Sequence, residues 1–280
     1  MALTAKTLSG IDVFAPELTE KRQGFTCRFC GQPMVFVDAQ LKIKHFRHKT
    51  ESLCDYEPET EEHEYYKWLV YKMLRNKRIG EVFAEYRIGK FIADIYLKKE
   101  KFWDIVFEIQ GTNYSALKYD EKIISYAFRK LLVVYLFIGD GFYNEVKRNI
   151  YSLKEIEKRI FINKTYCDTV FGCYLNNEYV TIPSFKEKYA KGGIGHCTHR
   201  FIMDYNKTRQ LLLSDYLDDI IQCHIREPFK PPECNHNEII YEKYIGKLVR
   251  YKKICLICGK FIGWLSNAEA KAKGFTFNRD

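Results

Sequence analysis

The chain has 280 residues, 46% of them hydrophobic and 16% aromatic, enough apolar material for about two cores of ordinary size, which excludes a disordered chain. A formal charge of +9, from 45 Lys and Arg against 36 Asp and Glu, suits a polyanionic partner as well as a plain solvated basic surface. Residues 1–18 lack a basic start followed by an apolar core, and the longest apolar run, 131–138, falls short of the ~20 residues of a membrane span, so the expectation is a soluble, cytoplasmic protein.

In an intracellular chain, 10 cysteines point to metal binding rather than disulfides. The first module, 1–57, carries Cys27-Arg28-Phe29-Cys30, then Gly31, the strand-like Met34–Val37 and Lys44-His45-Phe46-Arg47-His48. Zinc takes four tetrahedral sulfur and nitrogen ligands, and a two-residue gap lets both sulfurs of a knuckle reach one ion while a return strand delivers the other pair. The expected ligands are Cys27, Cys30, His45 and His48. The H-x-x-H gap is tight, and Cys54 stands in reserve for one histidine.

The second module, 58–145, opens with a helix over 59–78, whose apolar positions Tyr66, Leu69, Val70, Met73 and Leu74 recur at i, i+3, i+4, i+7 and i+8. Extended backwards, that face meets Glu62, His63 and Lys67. Strands follow at 82–87, 91–97 and 104–110, then a helix over about 115–130 and a buried strand at 131–138, giving the order α-β-β-β-α-β and an α+β fold class. Side chains alternate along a strand, so Glu85 shares a side with Arg87 and Glu108 shares one with Gln110, and Asp94 can face the same place. A buried ionised carboxylate is costly unless it is paired or binds a metal, so Asp94 and Glu108 on neighbouring apolar strands suggest a divalent-cation site, and such a site suits phosphodiester hydrolysis.

Residues 146–225 show a basic helical stretch at 147–159 and strands at 169–174 and 179–182 around Asn176-Asn177, with no assigned role. His196, Cys197 and His199, with Cys223 and His224, lack the spacing of a recognised metal knuckle. The last module, 226–280, spaces Cys234 and His236 from Cys255 and Cys258 as zinc ribbons space their ligand pairs, so these four are the expected ligands of a second zinc. Lysines interleaved with Tyr241, Tyr244, Tyr251 and Phe261 suit nucleic-acid contact, and a protein-docking ribbon fits the same pattern.

Asp94, a turn, and then Glu108-Ile109-Gln110 resembles the PD-(D/E)xK nuclease motif in its E-x-Q form. Together with the cysteine knuckle, His45-Phe46-Arg47-His48, Glu62-His63 with Lys67, and Arg87 seven residues before Asp94, the pattern over about 25–140 resembles the competence-protein CoiA family. The resemblance implies a restriction-endonuclease-like core flanked by small zinc modules, a Mg²⁺ or Mn²⁺ requirement and hydrolysis of DNA. Carried over by position, Asp94 and Glu108 are metal ligands, Gln110 replaces the usual lysine and Glu62 is an auxiliary acid. The chain departs from the pattern at the run 113–115 and at Gln110, which has no charge to stabilise a developing phosphorane, so a nuclease needs a cation from elsewhere, with Lys67 or Arg87 the nearest candidates. Two other readings fit the same residues: a non-catalytic zinc-containing DNA-binding or processing accessory protein, and a zinc-bearing transcription or adaptor protein. DNA against RNA, strand preference and homodimer formation stay open.

Overall fold

The computed structural model describes residues 2–19, 24–38, 42–49, 54, 59–99, 103–112, 115–139, 142, 144–147, 150–162, 169–189, 199–223, 239–245, 249–255 and 261–275. The fold is α+β, mostly strands in several sheets with few helices.

The N-terminal module is a five-stranded sheet in the order β2-β1-β3-β4-β5, built from β1 (Thr4–Thr7), β2 (Asp12–Phe14), β3 (Phe25–Thr26), β4 (Pro33–Val37) and β5 (His45–His48). Its apolar side gathers Ala5, Phe25, Met34 and Phe46 into a small core. The cysteine loop turns tightly between β3 and β4: Cys27 N–H donates to the Gln32 carbonyl at 2.8 Å, Gly31 N–H donates back to the Cys27 carbonyl at 2.9 Å, and Gly31 takes φ +73°, a conformation open to a residue without Cβ.

Helix α1 (Glu61–Lys77) starts where Thr60 caps it, the threonine hydroxyl accepting from His63 N–H at 3.2 Å, with Glu61, Glu62 and Glu64 in a first turn that the helix dipole favours. It stops at Arg78, which adopts the left-handed conformation. The predicted central elements are present as β6 (Glu81–Ile88), β7 (Phe91–Lys98), β8 (Asp104–Gln110), α2 (Ala116–Phe128) and β9 (Leu131–Phe137). Strands β6, β7 and β8 run antiparallel, and β9 pairs parallel to β8, so helix α2 serves as the crossover that a parallel pair requires.

The sheet does not end at β9. Strand β12 (Val170–Asn176) adds parallel to β9, followed by β13 (Tyr179–Ile182) and β16 (Arg209–Leu212), to give seven strands in the order β16-β13-β12-β9-β8-β7-β6. The expected boundary at 145 therefore does not fall between sheets. Helix α1 and helix α4 (Leu213–Gln222) share one apolar cluster with Ile95, Leu97, Phe107 and Ile109, while α2 packs Tyr119, Ile123 and Tyr126 with Val106, Val133 and Tyr135 in another. Alternate side chains of β8 thus enter two different cores.

The basic stretch at 147–159 is not the expected helix. It holds the ends of β10 (Asn144–Lys147), β11 (Ile150–Ser152) and only a helical turn, α3 (Glu155–Glu157), which runs into a wider π turn at Lys158–Ile162. Tyr151 and Leu153, two apart, are both buried with Phe201 and Met203, and this period-two burial together with pairing to β15 (His199–Met203) overrides a helix-compatible charge pattern. Strands β14 (Phe185–Tyr189) and β15 complete that four-stranded sheet. Near the C-terminus β17 (Ile239–Ile245), β18 (Val249–Cys255) and β19 (Phe261–Trp264) form an antiparallel sheet, followed by α5 (Asn267–Ala272). Among the described residues no helix is long and apolar enough to cross a membrane.

Candidate functional site

Among the described residues three groups of metal-competent side chains occur on or beside the central and N-terminal sheets, and two of them, Glu59-His63-Asp94 and Glu59-Glu64-Glu85, share Glu59 and form one acidic cluster. The first is the knuckle: ligand atoms of Cys27, Cys30, His48 and Cys54 lie within 4.8 Å of one another and could hold a metal ion such as zinc. Cys27 Sγ is 3.7 Å from Cys54 Sγ, and Cys30 Sγ is 3.3 Å from His48 Nε2. Burial opposes ionisation of Cys30, but the Gln32 backbone and the Cys54 and Cys27 thiols outweigh it and hold the thiol below its ordinary range, which favours the thiolate that metals require. His45, expected as a ligand, is not one of the four. It is buried with Nδ1 2.8 Å from the Ile43 carbonyl oxygen. The cause is the strand itself: residues three apart on β5 point to opposite sides, so His45 and His48 cannot reach one ion, and Cys54 completes the set.

The second cluster lies under the start of α1. His63 Nε2 stands 2.7 Å from the Ile109 carbonyl oxygen and 3.4 Å from Asp94 Oδ2, while His63 Nδ1 is 3.1 Å from Glu59 Oε2. Asp94 Oδ2 also accepts from Ile109 N–H at 2.8 Å, so one residue of β8 holds Asp94 by its N–H and faces the imidazole with its carbonyl. Ligand atoms of Glu59, His63 and Asp94 lie within 4.8 Å of one another. Burial opposes charge on His63, yet Asp94 and Glu59 outweigh burial and push the imidazole up to about 10, so at neutral pH Nε2 carries a proton facing the Asp94 carboxylate and the Ile109 carbonyl, and Nδ1 carries one facing Glu59. Asp94 in turn is held below its ordinary value, because His63 and Lys67 outweigh its burial.

Lys67 is fully buried, ion-paired to Glu59 and to Glu85 (Nζ to Oε1 3.2 Å) and 4.0 Å from Asp94. Burial would lower its pKa, and the surrounding Glu59, Glu64, Glu85 and Asp94 raise it well above the ordinary value instead. Beside it Glu64 is buried; burial, helped by the charges of Glu59 and Glu85, outweighs Lys67 and raises its pKa well above normal.

Glu108 and Gln110 leave the other side of β8. Glu108 Oε2 meets Lys122 Nζ of α2 at 2.6 Å, and Oε1 accepts from Tyr126 Oη at 2.8 Å. Burial together with the Asp94 charge outweighs Lys122 and pushes Glu108 up to about 7. The expected Asp94–Glu108 ligand pair is thus not gathered as one set: the two carboxylates bond to opposite helices, and among the described residues Glu108 belongs to no group whose ligand atoms could share an ion, although it still feels the Asp94 charge. Gln110 is buried, its Nε2 donating to the Thr112 carbonyl. Glu62 is exposed on α1, its Oε2 3.4 Å from where a Cβ on Gly139 would stand. Arg87 is exposed, with its guanidinium 5.2 Å from the centre of the Phe29 ring.

His63 was singled out on the helix face; two residues that the sequence reading did not single out, Glu59 and Lys122, are also central here. His63 and Glu59 sit one helical turn apart at the α1 start, and Lys122 belongs to a helix whose inward face gave no sign of an acid partner. Of the expected C-terminal ligands, Cys255 ends β18 and is buried, and Cys234, His236 and Cys258 lie outside the described residues, as do His196, Cys197 and His224. No protein-family model matches the chain, and no curated protein matches it.

Proposed function

We propose that the chain is a divalent-cation-dependent nuclease that hydrolyses DNA phosphodiester bonds on a restriction-endonuclease-like core, with the cysteine knuckle holding zinc. The observation that carries this reading is the convergence of His63 Nε2, Asp94 Oδ2 and the Ile109 carbonyl oxygen on one proton. A carboxylate and a carbonyl are donors that Mn²⁺ and Mg²⁺ both take, and the imidazole nitrogen beside them favours Mn²⁺ over the oxygen-preferring Mg²⁺, with Glu59 at hand. When bound, such an ion polarises a phosphoryl oxygen and lowers the pKa of its water.

The chain's own residues supply the rest. Glu108, with a pKa of about 7, is matched to taking a proton from water near neutral pH, and Lys122 beside it provides the positive charge that Gln110 lacks. Lys67, buried among acids, holds Glu59 and Asp94 in place rather than meeting a phosphate. The formal charge of +9 supports a polyanionic substrate. Purified protein incubated with duplex, single-stranded and branched DNA plus Mn²⁺ tests the reading: cleavage that disappears in Asp94→Asn and His63→Ala supports it, and cleavage that persists in both overturns it.

One observation favours a second reading. Both Glu108 oxygens are already engaged by α2, an arrangement that would also serve a DNA-binding protein of the same fold without cleavage. Binding of DNA with no cleavage in any divalent ion distinguishes it.

A further inference from the structure

The two clusters are mechanically joined through Glu85. The two residues between the knuckle cysteines both grip β6: Arg28 donates from Nη1 to the Ala84 carbonyl at 3.3 Å, and the Phe29 ring lies under the Arg87 guanidinium. These contacts flank Glu85, which sits at φ +52° in mid-strand, an orientation that a non-glycine residue keeps only when its surroundings impose it. The imposing contacts come from the same module. Leu3 N–H and Thr4 N–H donate to the Glu85 carboxylate at 2.8 and 3.0 Å, and the Thr4 hydroxyl donates as well. Thr4 belongs to β1, whose neighbour β3 leads directly into Cys27. The carboxylate so fixed pairs with Lys67, and Lys67 stands beside Glu59 and Asp94.

We propose that the metal-loaded knuckle sets the cation centre: by gripping β6 on both sides of Glu85 and clamping its carboxylate from β1, it positions Lys67, and through Lys67 the oxygens of Glu59 and Asp94. Glu85, Arg28 and Phe29 are positioning residues for a centre they do not touch. The inference rests on the nuclease reading of that centre. Its consequence is that the protein needs both metals in order: a chain without zinc at Cys27, Cys30, His48 and Cys54 keeps all the residues of the cation centre but holds them loosely.

Mn²⁺ binding to the intact chain, measured by calorimetry alongside zinc content and thermal midpoint, tests this without any substrate. Zinc-loaded Arg28→Ala/Phe29→Ala and zinc-free Cys30→Ser should each bind Mn²⁺ about 10- to 100-fold more weakly than the wild type, the usual effect of removing a group that orients a metal ligand. Glu85→Gln should do the same while retaining its zinc. Should Cys30→Ser fail to fold, the zinc-loaded double variant and Glu85→Gln decide. Wild-type Mn²⁺ affinity in both of those overturns the inference and leaves the nuclease reading standing. Absence of Mn²⁺ binding in the wild type itself overturns both.

Discussion

The imidazole of His63 and the carbonyl of Ile109 face each other at 2.7 Å across the gap between α1 and β8. A helix residue and a strand peptide are thereby locked together at the point where Asp94 also arrives. If that point takes a divalent ion, its two side-chain ligands are irreplaceable. Asp94→Asn and His63→Ala should each lower cleavage roughly 100- to 1000-fold, the range found when a preorganised charge is removed from a transition state. A supercoiled-plasmid nicking assay measures this directly.

Lys122 and Lys67 are predicted to fail in different ways. Lys122 is partly accessible and touches Glu108, so Lys122→Ala should depress kcat by about 100-fold with little change in KM, at a smaller cost in stability than Lys67 because a lone Glu108 can take up a proton. Lys67→Met should leave Glu59, Glu85 and Asp94 buried without their cation and cost about 3–5 kcal/mol of stability. Urea unfolding set beside steady-state kinetics separates the two. A destabilised Lys122→Ala with unchanged kcat would contradict the assignment.

The pH dependence has a definite sign. His63 is raised from 6.5 to about 10 in the folded chain, so its contribution to stability is complete below pH 6.5 and is lost as pH climbs through about 10. Glu108, raised from 4.5 to about 7, likewise stabilises the fold below pH 4.5 and loses that contribution by about pH 7. Glu59 works in the opposite direction, since Lys67 and His63 outweigh its burial and depress its pKa; its share disappears only in strong acid. Metal-free protein should therefore lose stability steadily from pH 7 to pH 10, and His63→Gln should flatten that slope in urea titrations. Because an ion must displace the His63 proton, Mn²⁺ affinity should rise with pH over the same interval, by at most about tenfold per unit.

At the knuckle, Cys54→Ser should remove zinc and His45→Ala should not, even though losing a buried histidine lowers stability by about 1–3 kcal/mol. Elemental analysis of the two purified variants settles the ligand set. Zinc retained by Cys54→Ser and lost from His45→Ala would restore the ligands expected from the sequence.

Much of the central order was legible because its signals are local. Helix α1 shows its 3.6-residue stripe, the short Gly89-Lys90 turn bounds two apolar strands, and β9 reads as a continuous buried run. The knuckle was legible for Cys27, Cys30 and His48. The His45 error was avoidable, since a return strand at 45–48 already places residues three apart on opposite sides. Other features were hidden for physical reasons. Whether Glu108 meets α1 or α2 depends on which core each side of β8 enters, and that is set by the parallel pairing with β9, a long-range contact without a local signature. Lys122 reads as an ordinary surface lysine until the helix is docked. The strands β12, β13 and β16 join the sheet from as far as residue 212, and β11 is made by pairing with β15 despite a charge pattern that suits a helix.

Pulsed EPR of one equivalent of Mn²⁺ added to the zinc-loaded protein tests the central claim most directly, because it reads the ligands and not the activity. A single tightly bound ion coupled to an imidazole ¹⁴N, with the coupling lost in His63→Ala and the binding weakened in Asp94→Asn, is the predicted result. No bound ion, or an ion that shows no nitrogen coupling and is indifferent to both substitutions, would contradict it.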